Sequence, residues 1–396
     1  MTWKERLLLL TLTAVNFTHI MDFMIMMPLG PQLMSLFGIS PQQFGFAVSA
    51  YSVTAGCTSF GAAFFADRFD RRQMLLWAYV GFVAGTFSCA FAPSYALLVA
   101  ARVLAGFFGG MIGAQVLSIV SDTFEYERRG RAMGNLMTAF SLASVIGVPS
   151  GLWLAARFSW HAPFLVIGGL GLAIVALIVA YIPPMTKHLQ AQDVRSSPFD
   201  VLRNVFRVAH QRWALLFSSV LMLGHFCIIP YFAPSLVGNV GYSPDHIFLI
   251  YLVGGTLTIF SAPVVGRLAD RRGKYPVFVT FALLSLIPVW LITHLWPQPM
   301  WVVLTVAGLF FVFVNGRMIP MQAMVSNVVP PQQRGGFMSI NSSVQQLSSG
   351  LATNLGGAII VEGANGRIER YGWVGYLSMA LIVLSIFLAK KMVAKD

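Results

Sequence analysis

Charged side chains are scarce in this sequence: Asp, Glu, Lys and Arg make up 10% of the 396 residues, whereas soluble domains carry about 25%. A soluble protein needs polar side chains to cover its surface, so this scarcity excludes a soluble globular enzyme. The three cysteines (Cys57, Cys89 and Cys227) are too few for a disulfide scaffold and lack the spacing of a metal site. Apolar residues make up 57% of the chain, which excludes a disordered chain and leaves a polytopic membrane protein.

Apolar runs of about 20 residues alternate with short charged loops along the whole chain. Because backbone groups in lipid must satisfy each other's hydrogen bonds, the runs are predicted to be helices, and the chain an all-α membrane protein. The first run continues beyond the length of a signal peptide, so we expect it to be retained. The twelve predicted spans cover residues 7–34, 43–65, 74–92, 96–121, 132–155, 163–182, 213–237, 246–266, 276–295, 300–328, 336–361 and 372–389.

The net charge of +12 comes from basic residues that lie mainly on one side of the predicted membrane. Of the 26 Lys and Arg residues, 21 lie in loops on the side of the termini, three lie on the opposite side, and Arg102 and Arg317 lie inside spans. Cytoplasmic loops carry such an excess, so both termini are predicted to be cytoplasmic. The charge is therefore a topology signal and nucleic acid is not an expected partner. We expect an integral protein of the plasma membrane (the inner membrane of a bacterium).

Two loops repeat each other at about half the length of the chain. Residues 63–75 read AFFADRFDRRQML and residues 266–278 read GRLADRRGKYPVF, which places Asp67 and Asp270 203 positions apart. An Arg-Gly pair before helix 5 recurs before helix 11 at a similar offset. The repeat predicts two six-helix halves related by duplication, an architecture typical of transporters.

The stretch between the halves is predicted to be a linker. We assign residues 1–184 to the N-terminal bundle, residues 185–212 to a cytoplasmic linker and residues 213–396 to the C-terminal bundle. Apolar residues recur at helical spacing from Phe199 to Ala209, which predicts an amphipathic helix on the membrane surface. A solvated linker is the alternative.

The repeated loops resemble the loop between helices 2 and 3 of the major facilitator superfamily, whose motif is Gly-x-x-x-Asp-Arg-x-Gly-Arg-Lys. The first copy departs from it, with Ala63 and Asp70 where the family has glycines. The residues that carry the resemblance are Asp67, Arg68, Arg71 and Arg72 in the first copy and Gly266, Asp270, Arg271, Gly273 and Lys274 in the second.

The resemblance implies that these loops form a conformational latch between the halves. A helix N-terminus favours negative charge, so each aspartate can accept hydrogen bonds from a helix of the other half. By pseudo-symmetry, Asp67 would face the start of helix 11 near Gly335, and Asp270 the start of helix 5 near Gly130. The alternative is that the loop charges only fix the topology.

Two further motifs support the same resemblance, which covers essentially the whole chain. Arg102, Gly106 and Gly109 are similar to the helix 4 motif. Gly147, Pro149 and Gly151 resemble the helix 5 motif of the drug/proton antiporter branch, with one residue between the first Gly and the Pro. The family implies a twelve-helix major facilitator fold, a monomer, and alternating access to a cavity between two pseudo-symmetric bundles.

Asp22 is the one acidic residue predicted to lie deep inside a span. A carboxylate within the membrane is costly unless it is paired or protonated, so it is a candidate functional residue. At 1.5 Å per residue, Asp22 and Arg102 lie at similar depths, so we expect them to pair. A carboxyl group whose cation partner comes and goes can load and release a proton. His19 shares a helix face with Asp22 and is a candidate relay; a structural ion pair or a substrate-binding acid are the alternatives.

Arg317 is the second cation within the membrane, and no acid of the second half is predicted at its depth. An unpaired buried Arg indicates an anionic group of a substrate or, alternatively, backbone carbonyls of a helix end. Polar side chains on neighbouring spans are cavity candidates or simple interhelical hydrogen-bond partners. The candidate substrate-binding residues are Asn16, Tyr51, His225, Asn315, Arg317, Asn341 and Gln345.

The sequence therefore predicts a secondary transporter, most concretely a proton-coupled exporter (antiporter) of a small organic molecule. A proton-coupled importer or a facilitator of a small anionic or zwitterionic solute is the alternative. An embedded enzyme is not expected, because the embedded histidines form no nucleophile or metal set, and a channel is not expected because no filter-like segment is present. We expect no cofactor or metal, since no nucleotide motif is visible; the expected partners are the solute, protons and membrane lipid.

Overall fold

The computed structural model describes residues 2–65, 68–124, 126–186, 207–329, 334–363 and 366–393. Nearly all of them are helical, and ten stretches within these ranges are long and apolar enough to cross a membrane. The remaining two predicted spans are also helical but carry more Ser, Thr, Asn and Gln. The predicted twelve-helix membrane fold is therefore confirmed.

In the N-terminal half the helices follow the predicted spans closely. Asp70 caps the third span, where its carboxylate accepts hydrogen bonds from the backbone N–H groups of Arg72 and Gln73. The helices are α1 (Trp3–Ile25), α2 (Gly30–Phe37), α3 (Pro41–Phe65), α4 (Arg71–Ala90), α5 (Tyr95–Thr123), α6 (Tyr126–Leu142), a π-helical segment (Ala143–Gly147), α7 (Val148–Arg157) and α8 (His161–Tyr181).

The C-terminal half repeats this order. A short hairpin of β1 (Val361–Glu362) and β2 (Ile368–Glu369) connects its last two helices. The helices are α9 (Ala209–Phe226), α10 (Ile229–Ser235), a π-helical segment (Leu236–Val240), α11 (Ile247–Arg272), α12 (Lys274–Thr293), α13 (Met300–Ser326), α14 (Arg334–Ile359) and α15 (Tyr371–Val393).

The first and seventh spans are interrupted, which corrects the prediction of continuous helices over 7–34 and 213–237. The first is broken between α1 and α2, and the seventh at Cys227 and Ile228. Proline explains both breaks, because it lacks an N–H and clashes with the preceding turn. Pro28 lies in the first break, Pro31 lies in the first turn of α2, and Pro230 follows the second break. Both interruptions come within a few residues of the polar groups Asp22 and His225.

The two halves meet along α3 and α14, in the part of the membrane span away from the chain termini. Glycines permit the close approach: a Cβ on Gly350 would lie 2.5 Å from Val53 Cγ2, and a Cβ on Gly56 would lie 2.8 Å from Leu347 Cγ. A buried apolar cluster also runs through both halves, from Ile25 of α1 and Phe44 of α3 to residues of α9 to α15. This packing holds the halves together at that end.

Candidate functional site

Asp22 and Arg102 form a salt bridge in the interior of the N-terminal half. Arg102 Nη1 on α5 donates to Asp22 Oδ2 on α1 at 2.8 Å, and both side chains are fully buried. The hydroxyl of Thr86 on α4 donates to the other carboxylate oxygen at 3.1 Å. The pairing expected from the depths of the two residues is present. The hydroxyl of Thr86 also partly compensates the burial of the charge.

Arg102 keeps donors that the carboxylate does not use. Its guanidinium carbon lies 4.5 Å from the centre of the Tyr51 ring, an attractive cation–π geometry. Among the described residues, its Nε and Nη2 have no hydrogen-bond partner, and neither do the buried Tyr51 hydroxyl and His19 Nε2. The last two atoms both adjoin Gly109, at 2.5 and 3.1 Å from where its Cβ would be. His19 and Tyr51 therefore belong to the polar cluster around the ion pair; the sequence places only His19 on the same helix face as Asp22.

A row of rings leads from this cluster into the C-terminal half. The ring of Tyr51 lies 5.5 Å from that of Phe23, and Phe23 lies 6.0 Å from Phe226 of α9 (centroid distances). Phe226 in turn contacts His225 edge-on at 5.1 Å. Phe23, His225 and Phe226 are only partly buried. The row therefore joins the two halves at the point where α1 and α9 are interrupted.

Arg317 lies at the C-terminal side of this row, on α13. Its side chain is 1% exposed, and Nη1 donates to the hydroxyl of Ser285 on α12 at 2.9 Å. Its Nε has no partner, and it makes no ion pair with any described residue. The ring of His225 lies nearby, and its buried Nδ1 has no hydrogen-bond partner among the described residues. Arg317 is thus a buried cation with no acidic partner in the part of the chain that the structure describes.

The remaining candidate substrate-binding residues carry side-chain amides, and they differ in whether the amide already has a hydrogen-bond partner. Asn315 donates to the carbonyl of Phe311 in its own helix at 2.9 Å, so its amide already has a partner. In the described ranges, Asn341 Oδ1 and Gln345 Nε2 on α14 have no partner, and Asn16 on α1 is half-buried without a hydrogen bond. The last three amides therefore remain available to a solute, and Asn315 less so.

The motif Gly147, Pro149, Gly151 begins at the last residue of the π-helical segment Ala143–Gly147, continues into α7 and packs against α1 near Asp22. A Cβ on Gly147 would lie 3.2 Å from Met21 Sδ, and one on Gly151 would lie 2.8 Å from Ile25 Cδ1. Pro149 lies at the start of α7, where its missing N–H is tolerated. The glycines thus let this irregular helix approach the segment of α1 that carries the acid.

The described residues of the predicted latch make contacts within their own half. Arg71 pairs with Asp122 at 3.1 Å, and Arg72 donates to the carbonyl of Val179 at 2.7 Å. Because α4 begins at Arg71, these contacts of the two arginines are made with α5 and α8. The role of the loop as a latch stays a prediction.

The rest of the latch is exposed or lies outside the described residues. Arg68, Asp270 and Arg271 are exposed, and Lys274 begins α12. Gly273 has a φ of 90°, which only glycine adopts without strain, and it separates α11 from α12. Asp67 lies outside the described residues, and so do residues 199–206 of the amphipathic helix predicted from Phe199 to Ala209.

Several residues of the site were not anticipated from the sequence. Thr86 binds the acid, and Phe23 and Phe226 join the halves. The hydrogen bond from the amide of Asn354 to the hydroxyl of Ser49 in the other half, at 2.6 Å, was not anticipated either. The signal for the two phenylalanines was available, because they are 203 positions apart, as Asp67 and Asp270 are. In the described ranges no three His, Cys, Asp or Glu side chains are placed to hold a metal ion.

Two six-helix halves around a central row of polar and aromatic side chains define the chain as a membrane transporter. The sequence pattern of the Major Facilitator Superfamily matches residues 12–353 and, in a second match, residues 214–393, so the chain belongs to this family. The resemblance inferred from the motifs is confirmed. Members of the family are transporters and not enzymes, and they are typically monomeric.

Relatives cover nearly the whole chain at low identity. The uncharacterized MFS-type transporter YceJ of Bacillus subtilis (strain 168) is 23% identical over 376 residues, 95% of this chain and 93% of the relative. A probable sugar efflux transporter of Helicobacter pylori (strain G27) is 23% identical over 344 residues, 87% of this chain and 84% of the relative.

Solved structures share the fold. The crystal structure of a D-xylose-proton symporter has a TM-score of 0.80 at 16% identity, covering 98% of both chains. A bacterial homolog of the human lysosomal transporter Spinster, inward-facing and unoccupied, has a TM-score of 0.76 at 15% identity, covering 99% of this chain and 97% of the other. At these identities the likeness concerns the fold alone.

Proposed function

We propose that this chain is a proton-coupled exporter, an antiporter that moves a small organic molecule outward as protons move inward. The observation that carries the proposal is the fully buried Asp22–Arg102 pair. Ionisable residues in the membrane interior are costly, and in transporters such residues mark proton pathways. We propose Asp22 as the proton-binding group, Arg102 as the partner that modulates it, and His19 as the relay beside it.

The pair suits a group that alternates between two protonation states. Arg102 favours the charged form of Asp22, whereas burial favours the protonated form. When Asp22 is protonated, Arg102 keeps a second stabilising contact, because its guanidinium lies over the Tyr51 ring. In the proposed cycle the deprotonated, inward-open carrier loads solute, and a proton entering from outside displaces it from the outward-open carrier. Protonation then permits the return.

The direction of transport is proposed on two grounds. The pattern Gly147, Pro149, Gly151 resembles the helix 5 motif of drug/proton antiporters, and in this chain it packs against α1 next to Asp22. The second ground for export is a relative named as a probable sugar efflux transporter. We further propose that both termini are cytoplasmic, in the plasma membrane of a bacterium, because 21 of the 26 Lys and Arg residues lie on that side.

We propose that the loops around Asp67 and Asp270 latch the two halves during this cycle. Asp270 is exposed at the end of α11, where it is free to bind a helix N-terminus of the other half. We propose Arg71 and Arg72 as residues that hold the first loop in place rather than as latch contacts. The solute is proposed to bind among Asn16, Tyr51, His225, Arg317, Asn341 and Gln345, with Asn315 the weakest of the candidates.

A second function is favoured by one observation, the uncompensated charge of Arg317. Protonation of Asp22 releases Arg102 and adds positive charge, so a proton and an anionic solute would assist each other's binding. That arrangement suits proton-coupled uptake of a small anionic or zwitterionic solute. In both candidates the proton moves inward, but the solute moves against it in export and with it in uptake, so an assay of proton movement on solute addition separates them.

The test follows protons in membrane vesicles that contain the full chain. Inside-out vesicles are energised, and a pH-reporting dye records proton release when sugars, organic acids and amphipathic compounds are added. Export predicts release in the wild type and none in Asp22→Asn. Asp245→Asn, in an exposed loop, is the matched control and should behave as the wild type.

Two other outcomes would overturn parts of the proposed function. Release that persists in Asp22→Asn overturns Asp22 as the proton site while leaving the exporter in place. Proton entry into right-side-out vesicles on solute addition, with no release from inside-out vesicles, overturns export and establishes uptake.

A further inference from the structure

Phe23 and Phe226 occupy equivalent positions in the two halves. They are 203 positions apart, the same offset as between the repeated loop residues Asp67 and Asp270. Their rings lie 6.0 Å apart, so two equivalent residues contact each other across the boundary between the halves. Each follows directly on a polar residue, and each comes just before the interruption of its helix. His225 is therefore the counterpart of Asp22 in the C-terminal half.

The two halves differ in how they compensate their buried arginines. Arg102 has the carboxylate of Asp22 at 2.8 Å, whereas Arg317 has the neutral hydroxyl of Ser285. At the position equivalent to Asp22, the second half has His225, which cannot supply negative charge. An uncompensated buried cation is costly, and an anionic group of a bound solute would supply the compensating charge.

We propose that the C-terminal half binds the carboxylate of an aromatic organic acid, with Arg317 and His225 facing the carboxylate and Phe226 and Phe23 facing the ring. This rests on the proposed function only in that the chain carries a small organic molecule, and it holds for export or uptake. A guanidinium with an unpaired Nε presents donors that match a carboxylate. The partly buried rings offer the faces on which a planar apolar group packs.

The direct test measures binding to the purified full chain in detergent by titration calorimetry. The probes are benzoate, 2-naphthoate and indole-3-acetate. We compare 2-naphthoate with its uncharged isostere 2-naphthamide, with cyclohexanecarboxylate and with inorganic phosphate. We expect 2-naphthoate to bind about tenfold or more tightly than the amide, since a charge-assisted hydrogen bond is lost in the amide. Cyclohexanecarboxylate and phosphate should bind more weakly than 2-naphthoate.

Substitutions of the proposed contact residues test whether the acids bind at this site. Arg317→Gln and Phe226→Leu should each weaken 2-naphthoate binding by about tenfold. The matched controls are Arg267→Gln, an exposed arginine, and Phe260→Leu, an exposed phenylalanine of α11; both should bind as the wild type does. If Arg317→Gln does not fold, Phe226→Leu and the comparison of 2-naphthoate with 2-naphthamide still decide the matter.

Failure of this site and failure of the proposed function are distinguishable. Equal binding of 2-naphthoate and its amide, equal binding of phosphate, no binding of any of the three acids, or unchanged binding in Phe226→Leu overturns the aromatic acid site. Binding of 2-naphthoate without proton release in vesicles leaves the site standing and overturns antiport. Proton release triggered by uncharged compounds, with no binding of any of the three acids, overturns the aromatic acid site and leaves antiport standing.

Discussion

Asn354 of α14 donates a hydrogen bond from its side-chain amide to the hydroxyl of Ser49 on α3, at 2.6 Å, across the boundary between the two halves. The same two helices approach closely at Gly350 and Val53. A polar contact and a glycine contact side by side allow tight packing without a large apolar interface. Because a rocking-bundle transporter must open and close such an interface, this seam is where the halves must separate at the end away from the termini.

A larger side chain at the contact between α3 and α14 should keep the two halves apart at the end away from the chain termini. In Gly350→Leu the new side chain has no room against Val53, so we expect the halves to separate there. Spin labels at Leu36 and Val361, both exposed at that end, would report the change by pulsed dipolar spectroscopy in a background without native cysteines. The distance distribution should shift to longer values in Gly350→Leu. Gly169→Leu, whose Cβ contacts nothing, is the control, and an unchanged distribution in Gly350→Leu would contradict the expectation.

Removing one partner of the buried ion pair should cost more stability than removing both. Arg102→Gln leaves the Asp22 carboxylate without its cation, at a cost of about 3–5 kcal/mol for a buried pair. The double variant Asp22→Asn/Arg102→Gln leaves no orphaned charge, so much of the lost stability should return. Thermal unfolding in detergent, followed by tryptophan fluorescence, measures both effects. Arg157→Gln, an exposed arginine, is the control. A double variant less stable than Arg102→Gln would show that the pair is not coupled.

The fold and the ion pair were predictable because both follow from strong physical constraints. The lipid environment requires long apolar helices, so composition alone located the spans. Asp22 and Arg102 were matched by depth, because a helix rises by a fixed distance per residue and a buried acid needs a partner. The identity of the third partner, Thr86, was not predictable, since many hydroxyl residues lie at compatible depths and only packing selects one.

Other features depended on information that a pattern of apolar residues does not contain. The breaks in the first and seventh spans were signalled by Pro28, Pro31 and Pro230, but a hydropathy pattern continues across them. Asn315 was expected in the cavity, yet its amide is bonded to its own helix at Phe311. The sequence places a side chain on a helix face but does not show whether a nearby carbonyl has already taken its hydrogen bond.

The close packing of the segment that carries Gly147, Pro149 and Gly151 against α1 should be required to couple proton movement to solute movement. In Gly151→Val the new methyl groups would press on Ile25, three residues after Asp22, and displace the acid from Arg102. We expect solute-triggered proton release to be lost while the protein still folds. The double variant Gly151→Val/Ile25→Ala restores the room and should recover proton release, because the total volume is nearly conserved. Gly134→Val is the control, as nothing lies near its Cβ. Full proton release in Gly151→Val alone would contradict this role.

The charge of the solute determines how transport responds to membrane potential. Exchange of one inward proton for one outward monovalent carboxylate moves two charges in the same electrical sense. A potential of 100 mV acts on each charge with about 2.3 kcal/mol, so it favours this exchange by about 4.6 kcal/mol. Proteoliposomes loaded with 2-naphthoate, with a potassium gradient and valinomycin to set the potential, test the expectation. Efflux should accelerate when the compartment containing the acid is negative. The control is the same gradient without valinomycin, and Arg317→Gln should lose the accelerated component along with binding. An equal rate at either potential would indicate electroneutral movement of proton and carboxylate together, which is the signature of uptake by symport.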